Sequence, residues 1–264
     1  MTLKRLDAEL VRRGMARSRE QARELIASGA VRIAGVVATK AATQVDTGSA
    51  ITVSATAVDD YVSRGAHKLI GALTVFADIA VDGANCLDAG ASTGGFTDVL
   101  LRRGASHVLA VDVGYGQIAW RLRTDPRVTV LERVNIRDLT PADVPFLADL
   151  TVADLSFISL ELVLPALGTL TQPSGEMVLM VKPQFEVGRE RVGAGGVVRE
   201  PELRSEAVTK IAVAALSLGW GTAGVTASPL PGPRGNVEYF LRLNRASGAA
   251  SAADIDRAVE EGPQ

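Results

Sequence analysis

The stretch Cys86–Gly114, CLDAGASTGGFTDVLLRRGASHVLAVDVG, decides how the rest of the chain is read. A short apolar run ends at Asp88, a glycine-rich turn follows (Gly90, Ser92, Gly94, Gly95), and a helical pattern carries Phe96, Val99 and Leu100. A second apolar run, Val108–Val111, ends in Asp112. Strand, tight loop, helix and a second strand closed by an acid form the unit by which an α/β sheet presents a nucleotide-like ligand. The loop is neither GxGxxG nor a P-loop. DxGxSxGG leans instead toward a smaller cofactor, with Asp112 suited to ribose hydroxyls and Glu132 or Asn135 near a base.

Outward from this unit, strands are expected at 85–88, 107–112, 128–132, 149–154, 176–181, 220–226 and 239–243. Helices are expected near 95–102, 116–123, 160–170 and 202–218. That alternation predicts a largely parallel sheet covered on both faces. Three strand boundaries carry polar groups on its functional edge: Asp154 before LSFIS, Lys182 between MVLMV and Pro183, and Glu238 just before the last strand. Pro183 also sets the exit direction of the chain after Lys182. The loop 188–196, GRERVGAGG, reads as a mobile surface segment that closes over substrate or simply carries solvated charge.

Upstream, YVSRGAHKLIGALTVF at 61–76 reads as a helix capped by Ser63, with Leu69, Leu73 and Phe76 on its apolar face. Lys68 falls in its first turn, an end that favours anions. It is therefore either a solvated lysine or one that faces a phosphate or a carboxylate. His67 has no metal-ligand partner nearby, and two histidines in the chain argue against a zinc site.

Of 264 residues, 47% are hydrophobic, enough for one or two full cores. The single cysteine excludes an internal disulfide, sits in an apolar strand and suits a reduced compartment. No apolar run follows the charged first residues, so no signal peptide is expected and the chain reads as cytoplasmic. The run Ile211–Trp220 is too short to span a bilayer. Charge is uneven: residues 1–40 carry a net +5, which leaves −7 on the remainder of a chain whose formal charge is −2. A basic front module on an acidic body points to a polyanionic partner.

That module reads as two short helices and a few short strands. Leu6, Leu10 and Val11 share one helical spacing, and Ser18 caps a second helix bearing Ala22, Leu25 and Ile26. VRI at 31–33, a turn at Ala34–Gly35 and ITV at 51–53 supply strands. Arginines gather around the break at Gly14, where a phosphate would also meet helical N–H groups. Ser54–Asp60, small and acidic, marks the boundary between residues 1–60 and 61–264.

The front stretches RLDAELVRRG and SREQARELIASGAVRIAG resemble the S4 RNA-binding domain, an α+β module. By that resemblance Arg5, Arg12, Arg17, Arg19, Gln21 and Lys40, with Arg64 beyond them, would contact structured RNA. The fragments YVSRGAHKL, CLDAGASTGGFTD, AVDVGYGQIAW, ADLSFISL, LMVKPQFEVG and GPRGNVEYF resemble the TlyA (hemolysin A) family of ribosomal RNA methyltransferases, in its order and spacing. The resemblance implies a Rossmann-like, seven-stranded class I methyltransferase fold using S-adenosylmethionine, and a Lys-Asp-Lys-Glu tetrad at Lys68, Asp154, Lys182 and Glu238. It places the cofactor on Asp88, Gly90, Ala91, Ser92, Gly94, Phe96, Asp112, Asn135 and Asp154. It also implies, as substrate, cytidine 2'-hydroxyls of 16S and 23S ribosomal RNA in ribosomal subunits. Nothing in the chain resembles a secreted pore, despite the hemolysin name.

Such chemistry needs the ribose oxygen aligned with an electrophilic methyl and help for the departing proton. Lys182 is the expected contact for that oxygen, oriented by Asp154 and Glu238, with Lys68 adding positive charge. Carboxylates beside Lys182 favour its ammonium form while Lys68 and burial oppose it, so orientation is a firmer role than proton abstraction. A noncatalytic RNA-binding assembly factor would keep the front module but not need the four tetrad residues. An α/β oxidoreductase would need the dinucleotide loop that is absent.

Overall fold

The computed structural model describes residues 3–16, 18–27, 29–53, 61–232 and 234–263. The chain divides into two compact units, Met1–Asp60 and Tyr61–Gln264. The proposed boundary segment Ser54–Asp60 lies outside the described residues.

In the first unit, β1 (Leu3–Arg5) leads directly into α1 (Leu6–Arg12), and α2 spans Arg19–Ala27. As expected, Ser18 caps α2: its hydroxyl accepts the Gln21 N–H at 3.1 Å. Strands β2 (Val31–Ile33), β3 (Val36–Val37) and β5 (Ile51–Val53) form one antiparallel sheet, while β4 (Gln44–Asp46) pairs with β1. Leu6, Leu10, Ala22, Ile26 and Val31 fill the small core. β1 and β4 escaped the sequence reading because strands of three residues, exposed throughout in β1 and with Val45 alone buried in β4, are too short for a legible alternation.

The second unit opens with α3 (Gly65–Val75). Ser63 does not cap it. The capping position is Arg64, which makes no side-chain cap bond, and Ser63 is instead packed against Gly95, where an added Cβ would stand 2.5 Å from its hydroxyl. The parallel core of the sheet is β6 (Asn85–Ala89), β7 (His107–Asp112), β8 (Val128–Glu132), β9 (Ala148–Ala153) and β10 (Thr171–Val181). Then come β11 (Gly221–Ala227) and β12 (Tyr239–Asn244), giving the order β11-β12-β10-β9-β6-β7-β8 with β12 alone antiparallel to its neighbours. Two apolar layers sandwich the sheet. One holds Leu69, Leu73, Phe96, Val99 and Phe240, and the other Leu164, Leu167, Val208, Ile211 and Tyr239. Neighbours in sequence such as Tyr239 and Phe240 serve opposite layers, as strand alternation requires.

The helices covering these layers are α4 (Gly95–Arg102), α5 (Trp120–Arg123), α6 (Leu164–Leu170), the short α7 (Pro183–Glu186), α8 (Pro201–Ser217) and α9 (Ala252–Glu261). The helix expected over 116–123 shrinks to four residues. Gly116 is left-handed and its N–H is held by Glu132 at 2.8 Å, which keeps the preceding segment in a loop. The expected helix at 160–170 is a 3-10 turn followed by α6. The sequence reading missed α9, although Ser251 and Asp254 carry its capping signature: the Ser251 hydroxyl accepts the Asp254 N–H. The glycine-rich loop after Gly188 is folded as two 3-10 turns, and Asn236 and Arg191 tie it down.

Candidate active site

From β6 the sheet grows outward to β7 and β8, then reverses to β9 and β10 on the other side. The reversal leaves a crevice between β6 and β9 at the carboxyl ends of their strands, the place where such sheets bind ligands. Asp88 lies near the end of β6 and Asp154 directly follows β9. Ala89 pairs with Ala153, so the next register step sets Gly90 beside Asp154. An added Cβ at Gly90 would stand 2.7 Å from the Asp154 carbonyl, and its φ of 86° already favours glycine. The turn approaches β9 too closely for any side chain.

The loop side of the crevice is built from acids. Asp88 is fully buried: one carboxylate oxygen accepts the Thr97 N–H at 2.9 Å and hydroxyl at 2.6 Å, and the other has no partner. Burial pushes its carboxyl up to about 7 against those two hydrogen bonds, with the charges of Asp154 and Asp112 adding to the rise. Asp112 receives the Ser92 N–H at 2.7 Å and the Gly114 N–H at 2.6 Å. These bonds fold the Gly90–Gly94 turn against the end of β7, and Ser92 takes a left-handed φ of 49° to reach it. Ala91 is buried against this turn. Asn135 caps a 3-10 turn by accepting the Arg137 N–H at 3.1 Å. Phe96 is 4% exposed, and its ring lies 6.2 Å from that of Phe240 between centroids. Val113, which the sequence reading passed over, is exposed immediately after Asp112.

The four tetrad positions come from four separate segments. Val181 pairs with Tyr239 across antiparallel strands, so the next step sets Lys182 opposite Glu238. Glu238 forms an ion pair with Lys68 at 2.5 Å, their side chains 1% and 7% exposed. Lys182 contacts Asp154 at 2.6 Å and donates to the Ser156 hydroxyl at 2.9 Å. Two lysines and two acids thus form two ion pairs, a quartet of zero net charge. An ammonium has three N–H donors. On Lys182 one goes to Ser156, while the Asp154 oxygen is held by charge without an aligned hydrogen bond, so N–H donors remain for an incoming oxygen. Ser156 was not singled out from sequence, although it lies two residues past Asp154 and its parallel register with β10 sets it beside Lys182.

Phe157, next to Ser156, is 91% exposed with a left-handed φ of 65°. A bulky residue in that conformation is strained, and such strain concentrates at functional sites. Its ring meets Phe185, just past Lys182, at 5.5 Å between centroids.

In the first unit, the expected RNA-contact arginines are organised by two fully buried acids. Asp7 holds Arg5 at 3.0 Å, Arg19 at 2.9 Å and Arg23 at 3.5 Å. Glu9 holds Arg12 at 2.6 Å and Arg13 at 2.7 Å. Arg5, Arg12 and Arg19 keep between 42% and 52% of their side-chain surface exposed. Lys40 and Arg64 are exposed and Gln21 half-buried, while Arg17 lies outside the described residues. The arginines hold both carboxyls well below the usual carboxylate range, Arg5 having the largest effect on Asp7 and Arg12 on Glu9.

Among the described residues no cluster of three or more His, Cys, Asp or Glu side chains is set to hold a metal, and no helix is long and apolar enough to cross a membrane. Cys86 is buried, its thiol pushed up to about 12 by burial, as suits a core residue.

Comparison with known proteins matches residues 61–245 to the FtsJ-like methyltransferase family and residues 4–51 to the S4 domain. The chain is 60% identical over 264 residues to the 16S/23S rRNA (cytidine-2'-O)-methyltransferase TlyA of Mycobacterium tuberculosis, covering 98% of each. It is 36% identical to Hemolysin A of Brachyspira hyodysenteriae, over 90% of this chain and 99% of that one. A solved structure of a provisionally named hemolysin from Streptococcus thermophilus superposes with a TM-score of 0.78 at 37% identity, covering 99% of this chain and 96% of that chain. The crevice, the paired lysines and acids and these matches together place the chain in the TlyA family, methyltransferases with an S4 domain ahead of an FtsJ-like catalytic domain.

Proposed function

We propose that this methyltransferase transfers a methyl group from S-adenosylmethionine to the ribose 2'-hydroxyl of cytidine in 16S and 23S ribosomal RNA. The observation that carries the reading is the pairing of Lys182 with Asp154 and of Lys68 with Glu238 around adjacent strands, beside a glycine turn.

The residues of the crevice fit the cofactor. The unpartnered oxygen of buried Asp88 is a ready acceptor, the space at Gly90 admits no side chain, and Asp112 retains acceptor capacity for ribose hydroxyls beyond its two backbone bonds. Exposed Val113 offers an apolar face to a base. When bound, S-adenosylmethionine supplies an electrophilic methyl on a sulfonium. Lys182 orients the 2'-oxygen with an N–H not given to Ser156 and stabilises the negative charge that develops there as the hydroxyl proton passes to solvent water. Asp154 and Ser156 hold the Lys182 ammonium in place, and Lys68, neutralised by Glu238, closes the pocket beside it. Phe157 offers an exposed ring on which an unstacked base can rest. The arginines held by Asp7 and Glu9 present guanidinium groups to RNA phosphates.

Methyl transfer to isolated 30S and 50S subunits, with mapping of the modified nucleotide, tests the reading. Lys182→Ala is expected to bind S-adenosylmethionine in calorimetry as the unaltered chain does, yet transfer nothing. Retained turnover by a folded Lys182→Ala chain would overturn the role assigned to that lysine.

A further inference from the structure

Glu238 is approached by a segment that the catalytic reading does not use. Asn236, two residues before it, is 3% exposed, and its amide is spent on another loop. Its side-chain oxygen accepts the Val198 N–H at 2.9 Å, and its nitrogen donates to the Gly196 carbonyl at 2.8 Å. Buried Arg204 donates to the Val198 carbonyl at 3.1 Å, fastening the same loop from α8. A surface loop rarely receives two buried polar side chains unless its conformation matters, because each must recover its desolvation cost through those bonds.

The fastened loop turns back on itself. The Gly193 N–H reaches the Val197 carbonyl at 3.1 Å, and Gly195 and Gly196 are both left-handed, with φ of 78° and 80°. Its two sides carry guanidinium groups. Arg234 lies 3.0 Å from where a Gly196 Cβ would stand, and Arg199 lies 3.5 Å from the equivalent point at Gly193. Arg199 and Arg234 are exposed, and neither has an ion pair among the described residues. The one carboxylate bonded nearby, Glu200, takes the Arg199 backbone N–H rather than its side chain.

We propose that the Gly193–Val198 loop, clamped by Asn236 and flanked by Arg199 and Arg234, is a phosphate-binding surface for the substrate RNA beside the catalytic lysines. It rests on the ribosomal RNA reading above and adds a contact within the methyltransferase unit itself. Charge complementarity names the occupant: two cations, Arg199 just past the loop and Arg234 on the clamped segment that leads into Glu238, meet backbone phosphates flanking the reacting ribose. The glycines let the RNA backbone come close, since nothing stands within 4 Å of the Cβ position at Gly195.

The test uses the full chain and isolated ribosomal subunits. The double variant Arg199→Ala/Arg234→Ala is expected to raise KM for subunits about tenfold and to flatten the dependence of log KM on log salt by roughly one to two units. Its affinity for S-adenosylmethionine should not move. Asn236→Ala retains both charges but frees the loop, and should raise KM in the same direction while leaving that affinity intact. Unchanged KM and salt slope in the double variant would overturn the surface. An Asn236→Ala chain with unaltered KM would overturn the clamp and reduce the arginines to diffuse surface charge. Absence of transfer by the unaltered chain would instead sink the functional reading, and this surface with it.

Discussion

The Lys68–Glu238 pair allows stability and catalysis to be separated in one experiment. With side chains 7% and 1% exposed and 2.5 Å between charged atoms, both groups have given up water and depend on each other. Removing one partner strands a buried charge, which costs about 3–5 kcal/mol. Lys68→Met and Glu238→Gln should therefore each lower the thermal midpoint of the methyltransferase unit by about 10 °C, given a shift of roughly 2–4 °C per kcal/mol at this size. The double variant removes both charges and keeps the volume, so its midpoint should return to within about 4 °C of the unaltered chain, a coupling of at least ~4 kcal/mol. Methyl transfer to ribosomal subunits should stay lost in all three. Thermal unfolding followed by circular dichroism, alongside transfer of labelled methyl, reads both quantities. Additive midpoint losses would refute the paired burial, and transfer restored in the double variant would refute a catalytic role for the pair.

Three further outcomes are expected. Asp88 holds a proton in the native chain that the unfolded chain releases between about pH 4 and 7, because burial raises its native value to about 7; stability should fall as pH rises through that window and stay lower above it. Glu186, also raised by burial, contributes in the same direction, so the flattening of the midpoint-versus-pH curve in Asp88→Asn isolates the Asp88 share, and an unflattened curve would exclude it. Phe157→Gly should gain about 1 kcal/mol by releasing its left-handed strain yet transfer methyl to subunits more slowly, with cofactor affinity unchanged; undiminished transfer would remove Phe157 from the RNA contact. Gly90→Ala, forced into φ of 86° with its Cβ 2.7 Å from the Asp154 carbonyl, should lose at least about tenfold in S-adenosylmethionine affinity by calorimetry, and normal affinity would show that the turn can yield.

The sequence by itself determined the alternation of strands and helices in the second unit, the division of charge between front and body, and the candidate residues at strand ends. These follow from local periodicity and from the few residue types that end a strand, so they survive without three-dimensional context. It did not determine the short strands β1 and β4, the shrinking of the 116–123 helix or the loss of the Ser63 cap. In each case a distant partner overrode local preference: β4 for β1, the Glu132 carboxylate for Gly116, and the crowding at Gly95 for Ser63. For the site, sequence named four ionisable residues but not which lysine meets which acid. The antiparallel entry of β12 decided that, by carrying Glu238 to the mouth beside Lys182 while α3 brought Lys68 to it. The supports, buried Thr97 beneath Asp88, exposed Ser156 beside Lys182 and buried Asn236 under the glycine loop, are ordinary polar residues in sequence. Only burial and register distinguish them, because a hydrogen bond between segments far apart in the chain leaves no local pattern.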